Sequence, residues 1–400
     1  MKKLLLLAII AFSIKANAQW VTQTTPTITY LYSICFADAN NGYSAGNDTL
    51  VGTLVKTTNG GANWNQVTLP NTDILWAVNF PTLTTGYVSG DNGLMFKTTN
   101  AGATWSVQTA ATLTSHTIYA MYFLDSVNGY AVGSSGTVIK TTNGGSTWAY
   151  QNVGATNSYR AVYFTSPTVG YAVGNGGVII KTTTSGTSWG FLTSPTASDL
   201  RGIYFTSVDT GYAVGYNGTI LKTVNAGTSW TIQNTGMTTS LYQVKFVSPN
   251  VGYVSGGSGK ILVTTDAGIT WTLQPNSNPN NLRSICFVNA SIGYAAGKLG
   301  TILKTTNGGG LISTVGTEEN DFSISLSVYP NPANDLISIE NITNKLESIS
   351  IVDVLGNEIY KSSMEKNHST IDVSGFAKGV YFLKVTDLGR NEATRKIIIQ

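Results

Sequence analysis

Seven residues at matching places in a repeat carry the side chains best suited to holding a ligand: Tyr32, Trp76, Tyr119, Arg160, Arg201, Tyr242 and Arg283. Each stands ten residues before a Gly-Tyr pair and four before a phenylalanine, and the three arginines are the only ones between Gln19 and Gly310. A guanidinium fork takes carboxylate or phosphate through two parallel hydrogen bonds, and tyrosine and tryptophan offer flat amphipathic rings. Gathered round one opening, these residues predict capture of an acidic peptide loop, or of an anionic or stacked sugar. The alternative is that the same side chains cap a channel, with arginine paired to Asp73 or Asp199.

Catalytic groups are scarce around them. Between Gln19 and Gly310 there are eight Asp and no Glu, and no spacing nominates an Asp pair for two-carboxylate hydrolysis. The two histidines, His116 and His368, lie far apart, so no His-based metal cluster is expected, and no motif calls for a cofactor. Cys35 and Cys286 occupy equivalent places in the first and last repeats, where an oxidising compartment would favour a latch disulfide. Equivalent residues point the same way round a ring, which sets one thiol facing away from the other.

The repeat is what positions the seven. Gly-Tyr recurs at Gly42, Gly86, Gly129, Gly170, Gly211, Gly252 and Gly293, and a Trp lies 22 residues before all but one of them, 24 before Gly129. In the fifth copy, Leu200–Phe205, Tyr212–Gly215, Thr219–Thr223 and Trp230–Gln233 read as four short strands separated by turn residues. A period near 41 residues made of such units predicts an all-β fold, a seven-bladed β-propeller over residues 19–310. Phe36, Phe80, Phe123, Phe164, Phe205, Phe246 and Phe287 are expected between blades. The last copy lacks its Trp, whereas Trp20 precedes the first; Trp20–Gln23 should therefore supply the outer strand of blade seven and close the ring. Leu311–Val315 is the competing occupant of that slot. Extra residues near Asp48–Val51, and between Trp105 and Gly129, are expected on the face that bears the seven large side chains.

The ends differ from the repeat. Lys2 and Lys3, an apolar run over Leu4–Ile14 and Ala16-Asn17-Ala18 make residues 1–18 a secretory signal, and no other stretch is long enough for a membrane-spanning helix. Net charge is +4 from Gln19 to Gly310 and −4 from Leu311 onward, which marks a boundary and disfavours nucleic acid as a partner. After a linker over 311–321, seven short alternating runs in residues 322–400 read as a small Ig-like β-sandwich.

Three resemblances add to this. Thr264-Thr-Asp266-Ala-Gly268-Ile-Thr270-Trp271 resembles an Asp-box (BNR) repeat, with Asn at the Asp place in other copies and Thr184 in the fourth. Asp-box propellers include sialidases, whose chemistry implies a Tyr nucleophile activated by an acid, an Asp and three arginines; the missing Glu speaks against it. Arg160, Arg201 and Arg283 each open an Arg-x-Ile/Val-x-Phe motif, which with the Gly-Tyr strands resembles the photosystem II assembly and stability factor family. That resemblance implies a non-enzymatic propeller holding a protein through an arginine-rich face. Tyr329-Pro-Asn-Pro332, Asp353-Val-Leu-Gly356 and Gly379–Val385 resemble the type A sorting domain of type IX secretion, implying that machinery as a partner and a secreted or surface-attached product. The combined expectation is a secreted binding propeller for a protein or glycan. A glycosidase and a structural surface component without a specific ligand are the alternatives.

Overall fold

The computed structural model describes residues 20–48, 51–70, 73–108, 116–310, 326–341, 346–353, 356–388 and 392–400. The signal segment, the linker and the insertion after Trp105 lie outside them or largely so. The chain divides into two compact units, Met1–Leu311 and Ile312–Gln400.

The first unit is a ring of seven four-stranded antiparallel sheets. Blade five runs Leu200–Phe205, Gly211–Gly215, Ile220–Thr223 and Thr231–Gln233, within a residue or so of the sequence reading. Blade seven takes Leu282–Phe287, Gly293–Gly297 and Ile302–Thr305 from the end of the repeat and Val21–Gln23 from the start, pairing Val21 with Lys304. The predicted closure is thus the observed one. In blade one the extra residues lengthen the hairpin, Gly42–Asp48 with Val51–Thr57.

Why the Gly-Tyr pair recurs is visible at each blade junction. The Phe of the innermost strand lies flat over the following Gly: a Cβ on Gly211 would fall 2.5 Å from the Phe205 ring. The neighbouring Tyr is fully buried and stacks on the Phe of the next blade, as Tyr171 does on Phe205 with centroids 4.2 Å apart. Trp230 meets the same Phe205 edge-on at 6.1 Å. Each Tyr hydroxyl then donates to a turn carbonyl of the next blade at 2.6–3.0 Å. In six blades a Lys ammonium from the third strand donates to that same carbonyl at 2.5–2.8 Å.

The Asp-box turns are held by their own short side chains. Thr264 Oγ1 accepts from Gly268 N at 2.8 Å, and Asp266 Oδ1 accepts from Thr270 N at 2.9 Å. Asn225 does the same for Ser229 N at 3.0 Å without a charge. Local turn closure is what the motif does here.

The second unit pairs a three-stranded sheet (Leu326–Tyr329, Leu336–Asn341, His368–Asp372) with a four-stranded one (Leu346–Val352, Glu358–Lys366, Gly379–Asp387, Glu392–Ile399). Alternate residues such as Ile349, Ile351, Leu383, Val385 and Ile397 fill a core between them, which is the predicted sandwich. Asn331 of the Tyr-Pro-Asn-Pro segment fastens to the last strand, accepting from Ile398 N at 2.9 Å and donating to Lys396 O at 2.8 Å.

Candidate binding site at the ring mouth

All seven predicted residues come together, and one backbone device places them. In every blade the pairing of the two innermost strands shifts register at the same point: Leu31/Ser33, Leu75/Ala77, Ile118/Ala120, Tyr159/Ala161, Leu200/Gly202, Leu241/Gln243 and Leu282/Ser284. The residue skipped each time is Tyr32, Trp76, Tyr119, Arg160, Arg201, Tyr242 or Arg283. A bulge frees one residue from the ladder and re-aims its side chain. Beneath them the strands crowd the axis; a Cβ on Gly202 would sit 2.9 Å from Gln243 Cα. Among the described residues these seven alone line a cavity of about 90 Å³ at the mouth.

Their mutual geometry departs from the flat platforms read from sequence. Tyr32 stacks on Trp76 at 4.3 Å and 22°, Trp76 meets Tyr119 edge-on at 5.2 Å, and the Arg160 guanidinium lies 3.8 Å over Tyr119. A second stack sets Arg201 4.3 Å over Tyr216 and Arg283 4.3 Å over Tyr242. Contacts of this kind run from blade to blade, so many of the broad faces are spent on neighbours. A guanidinium stacked on a ring keeps its in-plane N–H groups as donors, and a stacked ring keeps its hydroxyl and positive rim.

A second set of residues, which the sequence reading missed, orients the first. In blades two, four and five they sit fifteen positions on, at the tip of the hairpin. Asp91 Oδ1 accepts from Trp76 Nε1 at 2.8 Å, Asn175 Oδ1 from Arg160 Nε at 3.1 Å, and Tyr216 hydrogen-bonds Arg201. The constant fifteen-residue offset was the available signal.

Charge at the mouth is unbalanced. Arg201 pairs with Asp199 at 3.3 Å, the pairing foreseen in the capping alternative. Burial, and then the neighbouring Arg160 charge, lower the Arg201 pKa. Arg201 Nε and Arg283 Nε are buried without a hydrogen-bond partner.

Below the mouth the opening continues into a chamber of about 310 Å³. Cys35 and Cys286 both line it and both are free thiols. Cys35 packs into the apolar cluster of blades one and two, Cys286 into that of blades seven and one, as equivalent places in a ring require. Burial pushes both thiols up. Among the described residues no group of three or more metal-ligating side chains gathers.

Comparison with known proteins agrees with the propeller and with a separate C-terminal domain. A model described as photosynthesis system II assembly factor YCF48 matches residues 12–113, 107–194 and 231–306. The chain belongs to the YCF48 family. A secretion system C-terminal sorting domain matches residues 327–400, so this YCF48-family chain is exported by type IX secretion to the cell surface or the medium. Solved structures similar to it include YCF48 bound to D1 peptide (21% identity, TM-score 0.63, covering 72% of this chain and 97% of that one). Another is PorZ, a surface component of the type-IX secretion system of Porphyromonas gingivalis (14% identity, TM-score 0.54, covering 92% of this chain and 59% of PorZ). At such identities the likeness is one of fold. A curated relative, the endo-acting ulvan lyase of Formosa agariphila, is 36% identical over 93 residues, 22% of this chain and 18% of the lyase.

Proposed function

We propose that this chain is a non-enzymatic, exported binding propeller whose ring mouth seats an acidic segment of a protein partner. The observation that carries the reading is the convergence of Arg160, Arg201 and Arg283 on one opening, with Asp199 paired to Arg201. Edge-on donors suit carboxylate oxygens, which accept in the plane of the fork. A stacked pyranose would need ring faces, and those of Tyr32 and Trp76 cover each other. The solved YCF48 complex, whose ligand is a peptide, supports a protein partner over a glycan. Among the described residues neither Asp nor Glu lines the mouth or the chamber, which speaks against hydrolysis by a carboxylate pair.

The test is capture of surface proteins from the native host by the wild-type propeller and by an Arg160→Ala/Arg201→Ala/Arg283→Ala variant of matching melting temperature. Loss of the captured band in the variant supports the reading; equal capture sinks it. A glycan array run in parallel, lit by the wild type and dark with the variant, would replace the protein partner by a sugar.

A further inference from the structure

The chamber under the mouth has chemistry of its own. Lys245 lines it three residues below Tyr242 on the same innermost strand, roughly 10 Å deeper at 3.3 Å per residue. At the equivalent place blades three, four and five carry Tyr122, Tyr163 and Tyr204, whose rings pack on one another at 5.0 and 5.1 Å and do not line the chamber. Blades seven, one and two carry the smaller Cys286, Cys35 and Asn79, which do line it. The chamber is the space left where a sevenfold pattern of large residues is broken on one side.

Its wall holds four cations, Arg160, Arg201 (paired with Asp199) and Arg283 at the top and Lys245 at depth, and among the described residues no carboxylate lines it. The Lys245 ammonium lies 5.0 Å over the Tyr204 ring and makes no hydrogen bond or ion pair with a described residue. Six other propeller lysines are spent on turn carbonyls of the next blade. A half-buried ammonium facing a polar cavity costs desolvation that an anion offsets. At about 310 Å³ the space is at the lower end of small-molecule sites.

We propose that the chamber is a seat for a compact organic polycarboxylate, one carboxylate on the arginines of the mouth and another on Lys245. Two cation levels favour a molecule with two separated anionic groups over a single-centred ion. The seat shares the mouth arginines with the capture of a protein segment, but Lys245 belongs to the chamber alone, so binding that depends on Lys245 is tested without reference to that capture.

Calorimetric titration of the propeller with citrate tests the assignment. One citrate per chain is expected, bound at least ten-fold more tightly than inorganic phosphate. Lys245→Met should weaken citrate at least ten-fold, Lys245→Arg should restore most of it, and Lys260→Met, outside the chamber, should leave it unchanged. Should Lys245→Met fail to fold, Lys245→Gln is read in its place. Absence of citrate binding at millimolar concentration, phosphate binding as tight as citrate, or citrate binding indifferent to Lys245 would each overturn the proposal.

Discussion

The Trp20 indole N–H donates to the side-chain oxygen of Gln274 at 2.7 Å across the junction of blades six and seven. The Gln274 amide in turn donates to Gly308 O at 3.1 Å, the carbonyl that also receives the Tyr253 hydroxyl at 3.0 Å. At the other six junctions a lysine is the second donor; here the third strand carries Val263 instead, and Gln274 takes over. Trp64, Trp105, Trp148, Trp189, Trp230 and Trp271 bury their N–H groups without a partner. The one junction closed by a strand from the far end of the propeller therefore has its own polar latch.

Removing that latch should cost more than its size suggests. Gln274→Ala leaves Trp20 Nε1 buried and unpaired, a loss of about 1–3 kcal/mol. Trp20→Ala adds a cavity and should cost about 3–5 kcal/mol. Trp271→Phe strands no hydrogen-bond partner and should be the mildest of the three. Guanidinium unfolding of the propeller ranks them; a Gln274→Ala variant as stable as wild type would refute the latch.

The propeller was legible because its markers are local and periodic: Gly211 and Phe205 read alike in every copy since each must fit the other. The Phe residues expected between blades are found there, but the polar contacts that hold blades to one another were not legible, because they run over an offset longer than the period. Tyr171 bonds a carbonyl 55 residues on and Lys181 the same carbonyl 45 residues on. The seven mouth residues were found by register, yet their stacking was hidden, since it depends on how closely neighbouring bulges approach. Asp91, Asn175 and Tyr216 escaped because residues at the hairpin tips vary from blade to blade, and Lys245 because a single ammonium in a β-strand is an ordinary sight.

The fit of glycine under phenylalanine makes a sharp steric test. Gly211→Ala would place a methyl 2.5 Å from the Phe205 ring, which the buried ring cannot easily yield to. A loss of about 1–3 kcal/mol is expected from overpacking. Phe205→Leu alone should also destabilise, but the double variant should lose less than the two added together. Strict additivity in denaturant unfolding would mean that the two positions do not compete for the same space.

The two thiols should be unreactive in the folded protein. Burial raises the pKa of both Cys35 and Cys286, so the thiolate, the nucleophilic form, is scarcer at pH 8 than for an exposed cysteine. Labelling by DTNB is expected to be slow in buffer and to reach two thiols per chain in 6 M guanidinium. A two-dalton gain in mass on reduction of the protein as isolated would show a disulfide and contradict the free thiols of the structure.

Alkali should unfold the propeller through its buried tyrosines. Burial pushes Tyr43, Tyr87, Tyr130, Tyr171, Tyr212, Tyr253 and Tyr294 up to about 12, against roughly 10 in an unfolded chain. Between those values the unfolded state has given up protons that the folded state still holds, so stability falls as pH rises. It is fully present below pH 10 and lost toward pH 12. Denaturant midpoints followed by tryptophan fluorescence should be level from pH 8 to about 9.5 and then drop steeply, with tyrosinate absorbance rising together with unfolding. Tyr212→Phe, which deletes one such hydroxyl and its 2.6 Å bond to Ala267 O, should start lower and decline less steeply. Native protein whose tyrosines all ionise near pH 10, with no loss of midpoint, would show that these hydroxyls are not sealed between blades.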